Sequence, residues 1–123
     1  MGDRGEKLIS FEGLDAWKMA RNFNGLVYRL TDQSVFRKDP ELKMQLRRAA
    51  LSVMNNIAEG FERSGKQEKL NFLNYARASC GEVRSMTYVL EDLGLPEIDV
   101  QPIRETSIRT GKLISGLIRS LTR

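Results

Sequence analysis

Apolar residues recur at intervals of three and four along four successive stretches of this 123-residue chain. That spacing places them on one face of an α-helix, and no stretch shows the strict alternation of a half-buried strand. The four apolar stripes begin at Leu14, Leu42, Leu73 and Ile103. The sequence therefore predicts an all-α protein. Its helices are expected at about 12–31, 40–62, 65–93 and 99–122.

Boundary residues separate these stretches. Asp39 is suited to cap the second helix, and Pro40 suits its first position. Residues 64–67 match a capping box for the third helix, Gly94 suits its end, and Asp99 can cap the fourth. Because the connections are short, neighbouring helices should be antiparallel. We expect a single domain, 1–123, with the architecture of an up-down-up-down four-helix bundle.

The residue types that are missing exclude several kinds of site. The chain has no histidine and one cysteine, Cys80, so a zinc site, an intrachain disulfide and a histidine general base are not expected. Cys80 lies in the apolar stripe of the third helix, which favours a small buried hydrophobe over a nucleophile. We predict no enzyme activity, metal or cofactor. The lone cysteine and the lack of a long apolar run or signal peptide favour a cytoplasmic protein.

Positive charge is concentrated in the fourth helix. The formal net charge is +4, and residues 104–123 contain five basic residues against one acidic residue. At about 100° per residue the five lie within an arc of roughly 140°, opposite the apolar stripe. Such a face attracts phosphate backbones. The alternatives are a solvated face that keeps the protein soluble, or a helix lying on a membrane surface.

The candidate nucleic-acid-binding residues are therefore Arg104, Arg109, Lys112, Arg119 and Arg123. Secondary candidates precede or lie in the second helix: Arg37, Lys38, Lys43, Arg47 and Arg48. For the last two arginines an ion pair with an acidic residue of the second or third helix is an alternative to phosphate contact.

A structural polar motif is expected near the end of the second helix. Its members, with a partner on the third helix, are Asn55, Asn56, Glu59 and Glu82. We expect the asparagines to form hydrogen bonds between helices, which would fix register more than they add stability. Glu59 and Glu82 are the expected partners of Arg47 or Arg48.

The third and fourth helices carry more apolar residues than one bundle core needs. The surplus positions are Phe72, Tyr75, Met86, Val89, Ile108, Leu113 and Ile118. They predict an interface between subunits, and therefore a homo-oligomer. The alternative is a wide core stripe with some exposed side chains.

The run from Arg47 to Gly60, followed by Arg63, Phe72-Leu73 and residues 76–82, resembles the four-helix-bundle family of 23S rRNA intervening-sequence proteins. The opening Phe11-x-x-Leu14-x-Ala16-Trp17 and the Leu93-Gly94 ending fit the same pattern over about residues 11–94. The resemblance implies a homopentameric barrel with a channel. The family often has Pro-Ser ahead of Asn-Ile-Ala-Glu-Gly, whereas this chain has Met54-Asn55, which predicts a straighter second helix.

The same family includes the accessory variability determinant of diversity-generating retroelements, which is basic, binds nucleic acid and associates with a reverse transcriptase. The resemblance therefore implies a non-enzymatic, oligomeric accessory protein that binds RNA or DNA through a basic outer face, with a reverse transcriptase as a candidate partner. The alternative is an interaction scaffold of the same family that binds protein only. An enzyme is a third hypothesis that no residue constellation supports.

Overall fold

The computed structural model describes residues 10–123, and in this range it contains helices and no strand. The four long helices are α1 (Asp15–Thr31), α2 (Pro40–Glu62), α3 (Lys66–Asp92) and α4 (Gln101–Thr122). Short 3-10 helices lie at Phe11–Gly13 and Ser34–Lys38. The prediction of an all-α chain with four helices is confirmed. The first nine residues of the predicted domain lie outside the described part.

The four helices pack around a square. The extensive contacts join α1 to α2, α2 to α3, α3 to α4, and α4 back to α1, so α2 and α4 are diagonally opposite. Ser52 of α2 meets Ser79 of α3, while Gly60 meets Lys69, so these two helices run antiparallel. This arrangement is the antiparallel four-helix bundle that the sequence predicts.

The predicted stripes form the core. Phe23, Leu46, Ile57, Val83 and Ile114 are fully buried and come from all four helices. Burial of a side chain of this size stabilises the fold by roughly 1.5–3 kcal/mol. The polar faces of the helices are thereby turned outward, and this fixes the orientation of the basic residues of α3 and α4.

The boundaries of α2 are those predicted. The Asp39 carboxylate accepts a hydrogen bond from the Leu42 amide at 3.1 Å and so caps the helix. Helix α3 ends before Gly94, whose φ of +65° is the left-handed conformation that glycine adopts at little cost. Helix α4 begins two residues later than predicted, and its N-cap is Val100 instead of Asp99, although Asp99 still accepts a hydrogen bond from the Gln101 amide at 3.1 Å.

Two boundary predictions need correction. Helix α1 begins at Asp15 instead of residue 12, because residues 11–13 form a 3-10 turn that is closed by a 2.9 Å bond from the Leu14 amide to the Phe11 carbonyl. The capping box at 64–67 is wrong, since Gly65 is the N-cap and no side chain caps the helix. Gln67 instead donates to Asn71 at 3.0 Å.

Candidate nucleic-acid interface

A groove of about 520 Å³ follows the outer surface between α3 and α4, and four basic side chains line it. Arg77 and Arg84 come from α3, and Lys112 and Arg119 come from α4. The lining contains no carboxylate. We call this feature the α3–α4 groove. It joins two of the predicted candidates to two arginines that the sequence reading missed.

The helical repeat places these residues in the groove. Positions 77, 81, 84 and 88 are spaced by three or four and share one face of α3, as do 108, 112, 115 and 119 on α4. The Arg77 guanidinium crosses between the two helices, because it donates to Ser115 Oγ at 3.3 Å and to Asn74 Oδ1 at 2.9 Å. Among the described residues, the salt bridges are Arg63–Glu59 and Arg104–Glu91, and neither involves a groove cation.

The inner surface of the groove is formed by small residues. A Cβ atom built at Gly81 or Gly111 meets no heavy atom within 4 Å, whereas one built at Gly60 would lie 3.2 Å from the Phe72 Cβ. Gly60 therefore permits the close packing of α2 on α3. The glycines of the groove are not required by packing, and they leave open space beside the helix backbone.

Cys80 also lines this groove but is only 3% exposed. Burial raises the pKa of its thiol to about 12, and the nearby positive charge of Arg84 lowers it by a smaller amount. At neutral pH the group is a protonated, weakly reactive thiol. The structure places it as a buried side chain of the core, as the apolar stripe predicts.

Arg104 is the candidate whose environment differs most from the one expected. Its Nε donates to Thr87 Oγ1 at 3.0 Å, its Nη2 donates to Glu91 Oε1 at 3.0 Å, and its Cζ lies 3.8 Å from the Tyr88 ring centroid. The side chain is 12% exposed. The hydrogen bond to Glu91 raises the pKa of the guanidinium. Arg104 thus holds α4 against α3 and offers few free donors to a ligand.

Arg47 makes an equivalent set of contacts between α2 and α1. Its Nε donates to Thr31 Oγ1 at 2.8 Å, its Nη2 donates to the Tyr28 carbonyl at 3.3 Å, and its Cζ lies 4.2 Å from the Tyr28 ring centroid. We call the contact sets of Arg47 and Arg104 the arginine clasps. Both lie at the same end of the bundle, close to the α1–α2 and α3–α4 connections.

The expected ion pairs of Arg47 or Arg48 with Glu59 or Glu82 are wrong for the described residues. The Arg47 guanidinium lies against α1, where the Thr31 hydroxyl and the Tyr28 carbonyl accept its hydrogen bonds. Glu59 forms a salt bridge of 3.2 Å with Arg63 of its own helix. Glu82 is exposed on α3.

The predicted hydrogen bonds of Asn55 and Asn56 between helices are wrong for the described residues. Asn56 Nδ2 donates to the carbonyl and to the hydroxyl of Ser52, both at 2.8 Å, and the Ser52 hydroxyl meets the Ser79 hydroxyl at 2.8 Å. The bond between α2 and α3 is therefore made by two serines, and Asn56 supports it from within α2. Asn55 is exposed.

The remaining candidates do not join the α3–α4 groove. Arg109 of α4 and Arg123, the residue that follows this helix, are exposed outside the groove lining. Arg37 and Lys38 are exposed in the 3-10 helix before α2. Lys43, Arg47 and Arg48 line a second groove of about 730 Å³, together with Met44 and Leu51. We call it the α2 groove. Because α2 and α4 are diagonally opposite, one subunit presents two separate basic surfaces.

Several apolar side chains remain on the surface. Met44 and Tyr75 are 58% and 57% exposed, and Tyr88, Val89 and Leu93 are about half exposed. Of the predicted surplus, Ile108 is also exposed at 37%. The other surplus residues are half-buried: Phe72, Met86, Leu113 and Ile118.

The model of the family described as 23S rRNA-intervening sequence protein matches residues 12–116. The chain belongs to this family. The match extends through most of α4, beyond the 11–94 range that carries the sequence resemblance. A search of curated proteins gave no match.

Two further observations concern residues 10–123 of this 23S rRNA-intervening sequence protein. No helix in that range is long and apolar enough to cross a bilayer. In the same range no three residues of the His, Cys, Asp or Glu types are grouped as metal ligands would be.

Proposed function

We propose that this intervening-sequence protein is a non-enzymatic accessory protein that binds RNA or DNA through the α3–α4 groove. The observation that carries the proposal is the convergence of Arg77, Arg84, Lys112 and Arg119 on one groove whose lining has no carboxylate. Cations on both walls can approach one phosphate backbone from two sides. Arginine adds a planar fork of donors that matches phosphate oxygens.

The physics of such binding makes a quantitative expectation. Each phosphate that is neutralised releases condensed counterions, and log K falls by about 0.7 per contact for each unit of log salt on a single strand. Four contacts would give a slope of about −3. Ser115 lines the same groove, and its hydroxyl, which accepts from Arg77, keeps a hydrogen that it can donate to a phosphate oxygen. Arg109 and Arg123 extend the positive surface along α4.

The experiment is a fluorescence-anisotropy titration of a labelled oligonucleotide between about 50 and 200 mM salt. The variant Arg84→Gln/Lys112→Gln removes one cation from each wall. The matched control, Lys18→Gln/Arg29→Gln, removes the same charge from exposed positions of α1. The groove variant should reduce the slope by about 1.4 and weaken binding, while the control should leave the slope nearly unchanged. Equal effects of the two variants would contradict a local site.

We further propose a cytoplasmic homo-oligomer, a pentamer by the family resemblance, in which the groove repeats once per subunit. The exposed Tyr75 and Val89 share one face of α3 with the half-buried Phe72 and Met86, and such an apolar stripe on a surface helix supports self-association. Light scattering should give a multiple of the subunit mass, and Tyr75→Glu/Val89→Glu should lower it. A wild-type mass of one subunit would contradict the oligomer. A reverse transcriptase is the proposed protein partner.

A protein-only scaffold is the second candidate function, and the α2 groove supports it. Met44 is more than half exposed in that groove beside Leu51, and methionine-rich surfaces adapt to protein partners. Purified protein that failed to bind RNA and DNA at about 50 mM salt would favour this candidate over the first.

A further inference from the structure

We propose that the α3–α4 groove binds single-stranded nucleic acid in preference to duplex, an inference that rests on the proposed function. Arg77, Gly81 and Arg84 of α3 line the groove, and Tyr88 is the next residue on the same face of the helix, one turn beyond the lining. Tyr88 is 51% exposed. A basic groove that leads to an exposed aromatic ring combines the two elements that proteins use to hold single strands.

The ring of Tyr88 is held in place before any ligand arrives. The Arg104 guanidinium lies 3.8 Å from the ring centroid and is itself fixed by hydrogen bonds to Thr87 and Glu91. A ring that is already ordered loses little rotamer freedom when a base stacks on it. In a duplex the bases are stacked on one another, so their faces are not available to a tyrosine unless the helix opens.

The shape of the groove also favours a single strand. Packed helices have axes about 8–10 Å apart, and the major groove of a duplex alone is about 12 Å wide, so we expect a duplex to be too wide to enter between the two helices. Gly81 and Gly111 leave the space beside the backbone open. Glycine within a helix is unfavourable, and it serves where a ligand must come close to the main chain. A single phosphodiester chain can enter this space between the cations of the two walls.

The test compares one labelled strand of roughly 16 nucleotides, as RNA and as DNA, with its duplex at about 150 mM salt. Tyr88→Leu removes the ring and should lower the affinity for the single strand between about 5- and 150-fold, with little change for the duplex. Tyr75→Leu is the matched control, because Tyr75 is 57% exposed on the opposite side of α3 from the row 77, 81, 84 and 88, and leucine keeps the apolar character of the proposed subunit interface.

A second variant fills the groove without changing charge. Gly111→Leu places a side chain in the open space and should reduce single-strand binding to the level of the duplex. Ala78→Leu is the control for added bulk, since Ala78 is exposed on α3 and does not line the groove. Circular dichroism of each variant establishes that the bundle is folded. The preference for single strands is expected with both RNA and DNA.

Equal affinity for single strand and duplex, or single-strand binding that survives both Tyr88→Leu and Gly111→Leu, would overturn this inference. Those results would leave the proposed nucleic-acid function standing, because the salt-dependent contacts of the four cations would remain. Absence of binding to any oligonucleotide at low salt would overturn the proposed function itself.

Discussion

Replacing two helical glycines by alanine should change stability in opposite directions. At Gly111 the added methyl group meets no heavy atom within 4 Å. At Gly60 it would lie 3.2 Å from the Phe72 Cβ and 3.4 Å from the Lys69 carbonyl oxygen. The helix propensity of alanine is gained in both variants, but only Gly60→Ala must push α2 and α3 apart.

The open space at Gly111 and the close contacts at Gly60 set the expected changes in the free energy of unfolding. Gly111→Ala should stabilise the protein by about 0.5–1 kcal/mol, which is the usual difference between alanine and glycine inside a helix. Overpacking of a tight helix crossing costs typically 1–3 kcal/mol. After the same propensity gain, Gly60→Ala should destabilise the protein by about 0.5–2 kcal/mol.

Thermal unfolding followed by circular dichroism measures both variants. For a chain of this length 1 kcal/mol corresponds to roughly 3–6 °C in Tm, so the two midpoints should lie on opposite sides of the wild type. The protein concentration must be held constant, because self-association would make Tm depend on it. A lower midpoint for Gly111→Ala would refute the open space in the groove. A raised midpoint for Gly60→Ala would refute the close packing of α2 on α3.

Three further outcomes are expected. Arg47→Lys should lower the free energy of unfolding in urea titrations by about 1–2 kcal/mol, because lysine cannot make the Nε hydrogen bond or stack on Tyr28. The control Arg48→Lys, at an exposed position, should change that free energy by less than about 0.5 kcal/mol, and similar losses for both would contradict the clasp. The Cys80 thiol should react with a disulfide reagent about a thousandfold more slowly in the native protein than in the unfolded chain near pH 8, because its pKa is about 12 instead of the ordinary 9.0. The rate for the native protein should increase as the pH rises, and equal rates for native and unfolded chains would contradict the burial of Cys80. Asp39→Ala should cost about 1 kcal/mol through loss of the α2 cap, measured by urea unfolding against the same change at exposed Asp32, and equal losses would show that the cap contributes nothing specific.

The ends of α2 were predictable because their signals are local. Asp39 and Pro40 stand next to each other in the sequence and act within one turn. The capping box failed because the link between α2 and α3 is only three residues long. In this short link Gly65 occupies the N-cap position of α3. The Lys69 ammonium donates to the carbonyl groups of Gly60 and Phe61 at 3.4 and 3.0 Å.

Half of the groove was predictable from charge. Lys112 and Arg119 belong to a helix whose excess of positive charge is evident from its own residues. Arg77 and Arg84 were missed because α3 carries four basic and four acidic residues, so it shows no excess. The spacing of 77, 81, 84 and 88 was available in the sequence. Whether this face of α3 forms a groove depends on which neighbouring helix packs beside it, and the sequence does not give that packing.

The structural role of Arg104 in holding α4 against α3 could not be predicted from the sequence for a related reason. An arginine adds one positive charge to the count whether or not its guanidinium is paired. The ion pair of Arg104 is with Glu91, which lies on the other side of the α3–α4 connection. The hydrogen bonds of Arg47 to α1 are hidden in the same way. The sequence makes both residues candidates for phosphate contact, although most of their donors are used within the chain.

The two arginine clasps have a consequence for how the chain folds. Each joins residues only 13 to 19 positions apart, across a single connection between consecutive helices. The loop-closure entropy of so short a segment is small, and contacts that are local in sequence form early. We expect the α1–α2 and α3–α4 hairpins to form first as separate units. Their joining along the α2–α3 and α1–α4 contacts would then be the slower, later event.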